Sequence, residues 1–258
     1  MRKLLFIATI LMSFFSTAQL TTDADFKRQV YDNEMTGGIM LHTRGFGMNL
    51  RRMRFKDGYN KWGWEVDVVS IRHPKEVKLQ SQLYFNSSRS FVYGKLNGLY
   101  SIRLGYGRDK VLVDKTDKGS ISISWITMGG PSFAFLKPVF LEVADEDPLA
   151  SPDSRRTERY DPEIHDYIDI YGQAPFFTGI EKSSLRLGLY FKTGFSFDFN
   201  LSDKKVTTIE VGGIADYFPS YGLYKEEKVP IMYETGTVEN YNLWLQFYIT
   251  FNFGGKWN

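Results

Sequence analysis

The chain has 258 residues, of which 16% are aromatic and 24% charged, with 23 glycines, no cysteine and a formal net charge of +2. That length suits one large domain, and the near-neutral balance gives no reason to expect nucleic acid as a partner. Beyond the first residues no apolar run approaches the 18 or so needed for a spanning helix, which excludes a helical membrane protein.

Arg2 and Lys3 precede a largely apolar run from Leu4 to Phe15, and Ser16-Thr17-Ala18 supplies small residues for cleavage. This pattern predicts a secretory signal over 1–18, followed by a periplasmic N-terminal segment over 19–36. No cysteine follows the signal, so no lipid anchor is expected, and the exported chain must be held by packing and hydrogen bonds.

Alternation of apolar and polar side chains predicts strands over Gly37 to Phe55, Lys61 to Arg72, Phe91 to Tyr106, Ser120 to Met128 and Ser132 to Val143. It is clearest over Leu185 to Phe199, where Leu185, Leu187, Leu189, Phe191, Phe195, Phe197 and Phe199 alternate with Arg186, Lys192 and Asp198 among others. Val206 to Tyr217 and Tyr241 to Phe253 complete a set of eight. A period of two identifies a strand, and a strand of 15 residues with one face apolar apart from Thr193 suits a bilayer better than a sandwich. The fold expected over 37–258 is therefore an all-β, transmembrane, antiparallel up-and-down barrel of eight strands in the outer membrane of a Gram-negative bacterium. Closure leaves no unpaired sheet edge in hydrocarbon. Gly129-Gly130-Pro131 reads as a tight periplasmic turn; merging 120–143 into one strand is the alternative, with seven strands and the N-terminus outside. The even number that two periplasmic ends require favours eight, although Pro138 and the parity of Lys137 fit the fifth strand poorly.

Barrels of this kind carry long loops outside and short turns in the periplasm, so 144–183 and 218–239 are expected outside. Counting back from them places Gly107 to Gly119 outside and His73 to Arg89 in the periplasm. Trp62, Trp64, Tyr106 and Tyr217 are then expected at outer strand ends, as an aromatic girdle. A soluble, lipocalin-like barrel is the rival, and its aromatic faces would point inward.

Inward faces carry Glu65, Asp67, Asp198 and Glu210 against Lys95, Arg103, Arg186 and Lys192. Because eight strands leave a bore just wide enough for side chains, these groups are expected to pair and fill it. A narrow channel is the alternative. His42, His73 and His165 form no zinc pattern, and no nucleophile elbow, phosphate loop or dinucleotide fingerprint occurs, so no catalytic residue, metal or cofactor is assigned. His165 among Asp161, Glu163, Asp166 and Asp169 leaves a lipid A or phospholipid modifying enzyme as an alternative.

The stretch 144–182 holds ten acidic residues against four basic ones, a possible hard-cation site or simply a solvated loop. Its second half is apolar, and Tyr167, Ile170, Tyr171, Phe176 and Phe177 are expected either to fold over the barrel mouth or to contact another protein. His73 and Lys75 mark a second contact surface. Arg44, Arg51, Arg52 and Arg54 are expected near the outer end of the first strand, where lipopolysaccharide phosphates lie; pairing of Arg51 with Glu65 or Asp67 is the equal alternative.

The runs Gly37-Gly38-Ile39-Met40-Leu41-His42-Thr43, His73-Pro74-Lys75-Glu76, Tyr93-Gly94-Lys95-Leu96-Asn97 and Tyr171-Gly172-Gln173-Ala174-Pro175-Phe176-Phe177 together resemble a family of uncharacterised outer-membrane barrels of Bacteroidota. The resemblance implies a barrel that serves as a non-enzymatic subunit of an assembly or secretion complex. Its partners would be outer-membrane lipids and other envelope proteins, with no nucleic acid.

Overall fold

The computed structural model describes residues 31–81, 89–115, 120–144, 154–200, 204–222, 225–234 and 238–258. The expected export signal lies outside the described residues.

Eight strands make the barrel: β1 (Asn33–His42), β2 (Gly45–Phe55), β3 (Asn60–Ile71), β4 (Asn97–Val113), β5 (Ser122–Pro138), β6 (Ser184–Asp198), β7 (Lys205–Tyr217) and β8 (Leu243–Trp257). Each pairs antiparallel with its sequence neighbour, and β1 closes against β8 from Asn33↔Trp257 to His42↔Tyr248. The barrel begins at Asn33, so the last residues of the expected N-terminal segment belong to β1.

The number eight is right, but two of the expected boundaries are not. Gly37 to Phe55 is a hairpin, turning at Thr43-Arg44 with His42 opposite Gly45. Ser120 to Val143 contains one long strand, which runs straight through Gly129-Gly130-Pro131 as far as Pro138. The glycines there make room within the wall instead of turning the chain. A side chain on Gly130 would collide with the Leu104 carbonyl of β4, and one on Gly105 would occupy the place of the Tyr190 hydroxyl.

These changes reverse β2, β3, β4 and part of β5 relative to expectation. The turn at Thr43-Arg44 and the connections 72–96, 139–183 and 218–242 share one end of the barrel. Both termini and the connections 56–59, 114–121 and 199–204 share the other. The segment after His73 therefore stands beside 139–183, and the expected outer loop at Gly107 to Gly119 is mostly β4. Trp62, Trp64 and Tyr106 form a girdle at the terminal end, with ring centroids of Trp64 and Tyr106 4.8 Å apart. Tyr217 alone of the four keeps its expected end, the last residue of β7.

The exterior is apolar. Ile39, Leu41, Phe46, Met48, Leu189, Phe191, Leu245 and Phe253 are all exposed, and Phe247 is 76% exposed. The interior carries the ions. This is the inverse of a soluble barrel, and it disposes of the lipocalin-like rival, because such an exterior is stable only against hydrocarbon.

Candidate functional site

At mid-height the bore is crossed by three sets of charges, each joining strands three places apart around the sheet. Lys192 of β6 lies 2.8 Å from Glu65 of β3 and 3.2 Å from Glu210 of β7. Arg51 of β2 pairs with Glu65 and, at 2.8 Å, with Glu210, which also accepts a 2.6 Å bond from the Tyr248 hydroxyl. Arg103 of β4 grips Asp216 of β7 with its Nε at 2.8 Å and Nη2 at 2.6 Å, and Gln246 Nε2 donates to the same carboxylate at 2.8 Å. Asp67 stands 3.8 Å from Arg103. Arg103, Lys192, Glu210 and Asp67 are wholly buried. An isolated charge in such a place is untenable, and bidentate and shared pairs are what make the layer stable.

Two further layers bracket it. Toward the termini, Lys61 bridges Glu34 and Asp109, each at 3.0 Å, and Asp198 meets Lys115 at 3.2 Å. Toward the loop end, Met40, Val69, Ile71, Leu99, Leu136 and Ile214 form an apolar layer into which Val229, Ile231 and Met232 of the 218–242 connection insert. The inserted segment is fastened by its backbone: the amides of Leu96 and Asn97 donate to the Ile231 carbonyl at 2.9 and 3.1 Å, Asn97 Nδ2 to the Pro230 carbonyl at 2.6 Å, and Arg186 to the Val229 carbonyl.

Of the expected interior ions, Glu65, Asp67, Arg103, Lys192 and Glu210 are where their parity put them. Lys95 is not in the bore and pairs with Glu76 at 2.7 Å. Asp216, Glu34, Lys61 and Asp109 were missing from that set. Arg51 was outside it too, but its pairing with Glu65, given as the alternative to a lipid contact, is the one found. Asp216 keeps the inward parity of its strand, a signal obscured in β7 by its glycines.

The expected arginine cluster is dispersed. Arg51 is in the bore, while Arg52 and Arg54 face outward toward the terminal end, opposite Trp64 and Trp62. Arg44 alone reaches the loop end. The expected contact residues also separate. Ile170 and Tyr171 are buried, the former in a cluster with Phe91, Val139, Leu141, Val143 and Tyr160. A small sheet of Ile170–Gln173, Phe140–Ala144 and Arg155–Arg159 supports that cluster. Tyr167 is half-buried and its hydroxyl donates to the Gln80 carbonyl at 3.1 Å, tying 139–183 to 72–96. Phe176 and Phe177 project, the latter 76% exposed. Covering of the mouth thus falls to 229–232, within the connection expected outside at 218–239, to which the sequence assigned no such part.

His73 is buried and Lys75 exposed. His73 Nδ1 accepts from the Lys75 amide at 3.2 Å, so Nε2 carries the proton that goes to the Glu239 carbonyl at 2.9 Å. Its ring stacks on Tyr241, and burial holds its pKa below the usual histidine value. His165 is also buried, with Nε2 3.1 Å from Glu158 and Nδ1 3.0 Å from the Asp161 amide. Both ring nitrogens are thus engaged by groups close in sequence, Glu158 and Asp161. The acidic residues over 145–153 lie outside the described residues. Among the described residues no three metal-ligating side chains converge.

A closed, antiparallel eight-strand barrel with an apolar belt outside and paired ions inside is a transmembrane barrel of the outer-membrane type. Among solved structures, the chain is similar to Ail, the attachment invasion locus protein of Yersinia pestis, crystallised with the heparin analogue sucrose octasulfate: 8% identity over 89% of this chain and 100% of that one, TM-score 0.38. It is also similar to Neisserial surface protein A, at 10% identity over 88% and 96%, TM-score 0.36. Both scores are below 0.5, and the fold assignment rests on the strand pairing of the chain itself. Neither models of known families nor curated proteins give a match.

Proposed function

We propose that this barrel is a non-enzymatic subunit or scaffold of an outer-membrane assembly or secretion complex, belonging with the Bacteroidota barrels it resembles. The observation that carries the reading is the division of labour in the chain. The bore is filled by ions at mid-height and by Val229, Ile231 and Met232 at its mouth, which leaves the outward loop end as the working surface. On that surface the described parts of 72–96 and 139–183 pack against each other, and Ile168, Phe176, Phe177 and Ile180 are exposed. A packed surface bearing exposed aromatics is the usual anatomy of a protein contact. The orientation follows from loop length: the short connections and both termini face the periplasm, the long connections the exterior.

The test is a pull-down of the tagged chain from native outer membranes in mild detergent, compared with Phe176→Ser/Phe177→Ser. Stoichiometric envelope proteins that are lost from the variant support the reading. Recovery of the chain alone, or an unchanged set of partners, overturns it.

A further inference from the structure

Where the β1–β2 turn meets the end of β3, a cavity of about 760 Å³ opens at the loop end of the barrel wall. Arg44 and Arg72 stand directly opposite each other there, the Arg72 amide donating to the Arg44 carbonyl at 2.8 Å. Like charges placed opposite across a sheet repel, and an anion held by both would offset that repulsion. Among the described residues neither arginine has an ion pair. Arg44 is held in place by Nε, which donates to the Leu245 carbonyl at 3.2 Å, and by the Trp244 ring 5.2 Å beneath its guanidinium, so its two Nη groups remain open. The nearby carboxylate, Glu76, is already engaged by the His73 amide at 3.0 Å and Lys95 Nζ at 2.7 Å. His42 lines the same cavity, and its Nδ1 accepts from the Arg44 amide at 3.3 Å.

The rest of the wall is of a different character. Phe46, Leu245 and Phe247 line the cavity and are also part of the exposed apolar belt. The cationic rim is thus continuous with the surface that meets acyl chains, at the level where the strands end. A free phosphate would use only the rim; a phosphorylated lipid would use both.

We infer that this groove is a binding site for a phosphate-bearing lipid of the outer leaflet, with the phosphate on Arg44 and Arg72 and an acyl chain along Phe46, Leu245 and Phe247. The inference rests on the orientation adopted above but not on any protein partner, so the two readings fail separately. It also narrows the expected headgroup site from four arginines on one strand to a cross-strand pair.

The experiment is native mass spectrometry of the full chain in mild detergent with added bisphosphorylated lipid A, dephosphorylated lipid A or inorganic phosphate. Arg44→Gln/Arg72→Gln is expected to weaken lipid A binding by at least about tenfold, since charge-assisted bonds to phosphate are the stronger kind. Dephosphorylated lipid A should bind the native chain no better than lipid A binds the variant, and inorganic phosphate should not displace the lipid. Arg52→Gln/Arg54→Gln, at the other end, should retain full binding. Heat-modified migration on gels confirms that each variant is folded. Equal binding by the Arg44/Arg72 variant overturns the site, and displacement by inorganic phosphate alone overturns its assignment to a lipid.

Discussion

Lys192 Nζ stands 2.8 Å from Glu65 Oε1, a contact that spans the bore between two strands that do not touch in the sheet. It makes the barrel wall and its contents one structure, since the same lysine also meets Glu210, and Arg51 meets both acids. Removing Lys192 leaves two buried acids to share the single positive charge of Arg51.

Lys192→Met is therefore expected to lower stability by about 3–5 kcal/mol, the range for breaking a buried pair. Adding Glu65→Gln to that variant should restore part of the loss, because the one remaining carboxylate, Glu210, is then matched by Arg51. Urea unfolding in detergent micelles, followed by tryptophan fluorescence, measures both. Equal stability of Lys192→Met and the native chain would refute the interlocking layer.

The stacked layers predict a silent barrel. In planar lipid bilayers the native protein should give no resolved conductance steps, and Ile231→Ser/Met232→Ser should remain silent, since the ionic layer beneath still fills the bore. Steps in the native protein would show an open path and favour the channel reading.

His73 makes the loop end sensitive to acid. Its pKa in the folded chain lies below the unfolded value of about 6.5, chiefly through burial, with Arg44 and Lys75 adding to the shift. A depressed pKa means that stability is complete above the unfolded value and is lost as pH falls through the folded one. Protonation would put a hydrogen on Nδ1, which now accepts from the Lys75 amide. Hydrogen exchange at 73–76 and 239–242, corrected for intrinsic rates, should accelerate between pH 7 and pH 5, and His73→Gln should flatten that dependence.

His165 separates the scaffold reading from the enzyme reading. Both of its nitrogens are spoken for by Glu158 and the Asp161 amide, so His165→Ala is expected to loosen 154–170 toward proteolysis and to leave the lipid A mass profile of the cell unchanged. A changed profile would restore catalysis as a candidate.

Parity explains what could be read early and what could not. Through β5 the even positions Ser124, Ile126, Met128, Ser132, Ala134 and Leu136 stay inward on both sides of Gly129-Gly130-Pro131. Unbroken parity marks a single strand, although the residue types spell a turn. Between β1 and β2 the outward set passes from odd positions, Ile39 and Leu41, to even ones, Phe46, Met48 and Leu50, the change that a two-residue hairpin imposes. Thr43-Arg44 has none of the residues that usually announce such a turn, so composition hid it. The two errors offset each other in the strand number and misplaced Trp62, Trp64 and the His73 segment.

The sequence by itself determined that the chain forms a closed barrel with its apolar side chains turned outward, because period-two alternation is a local property and hydrocarbon admits no open sheet edge. Only the tertiary structure decided which ions meet and where the long connections fold. Arg51 finds Glu210, Arg103 finds Asp216 and Met232 reaches Leu136 across distances in sequence that no local pattern encodes. Those contacts come from the closure register of eight strands, which sets opposite one another side chains that the chain itself keeps far apart.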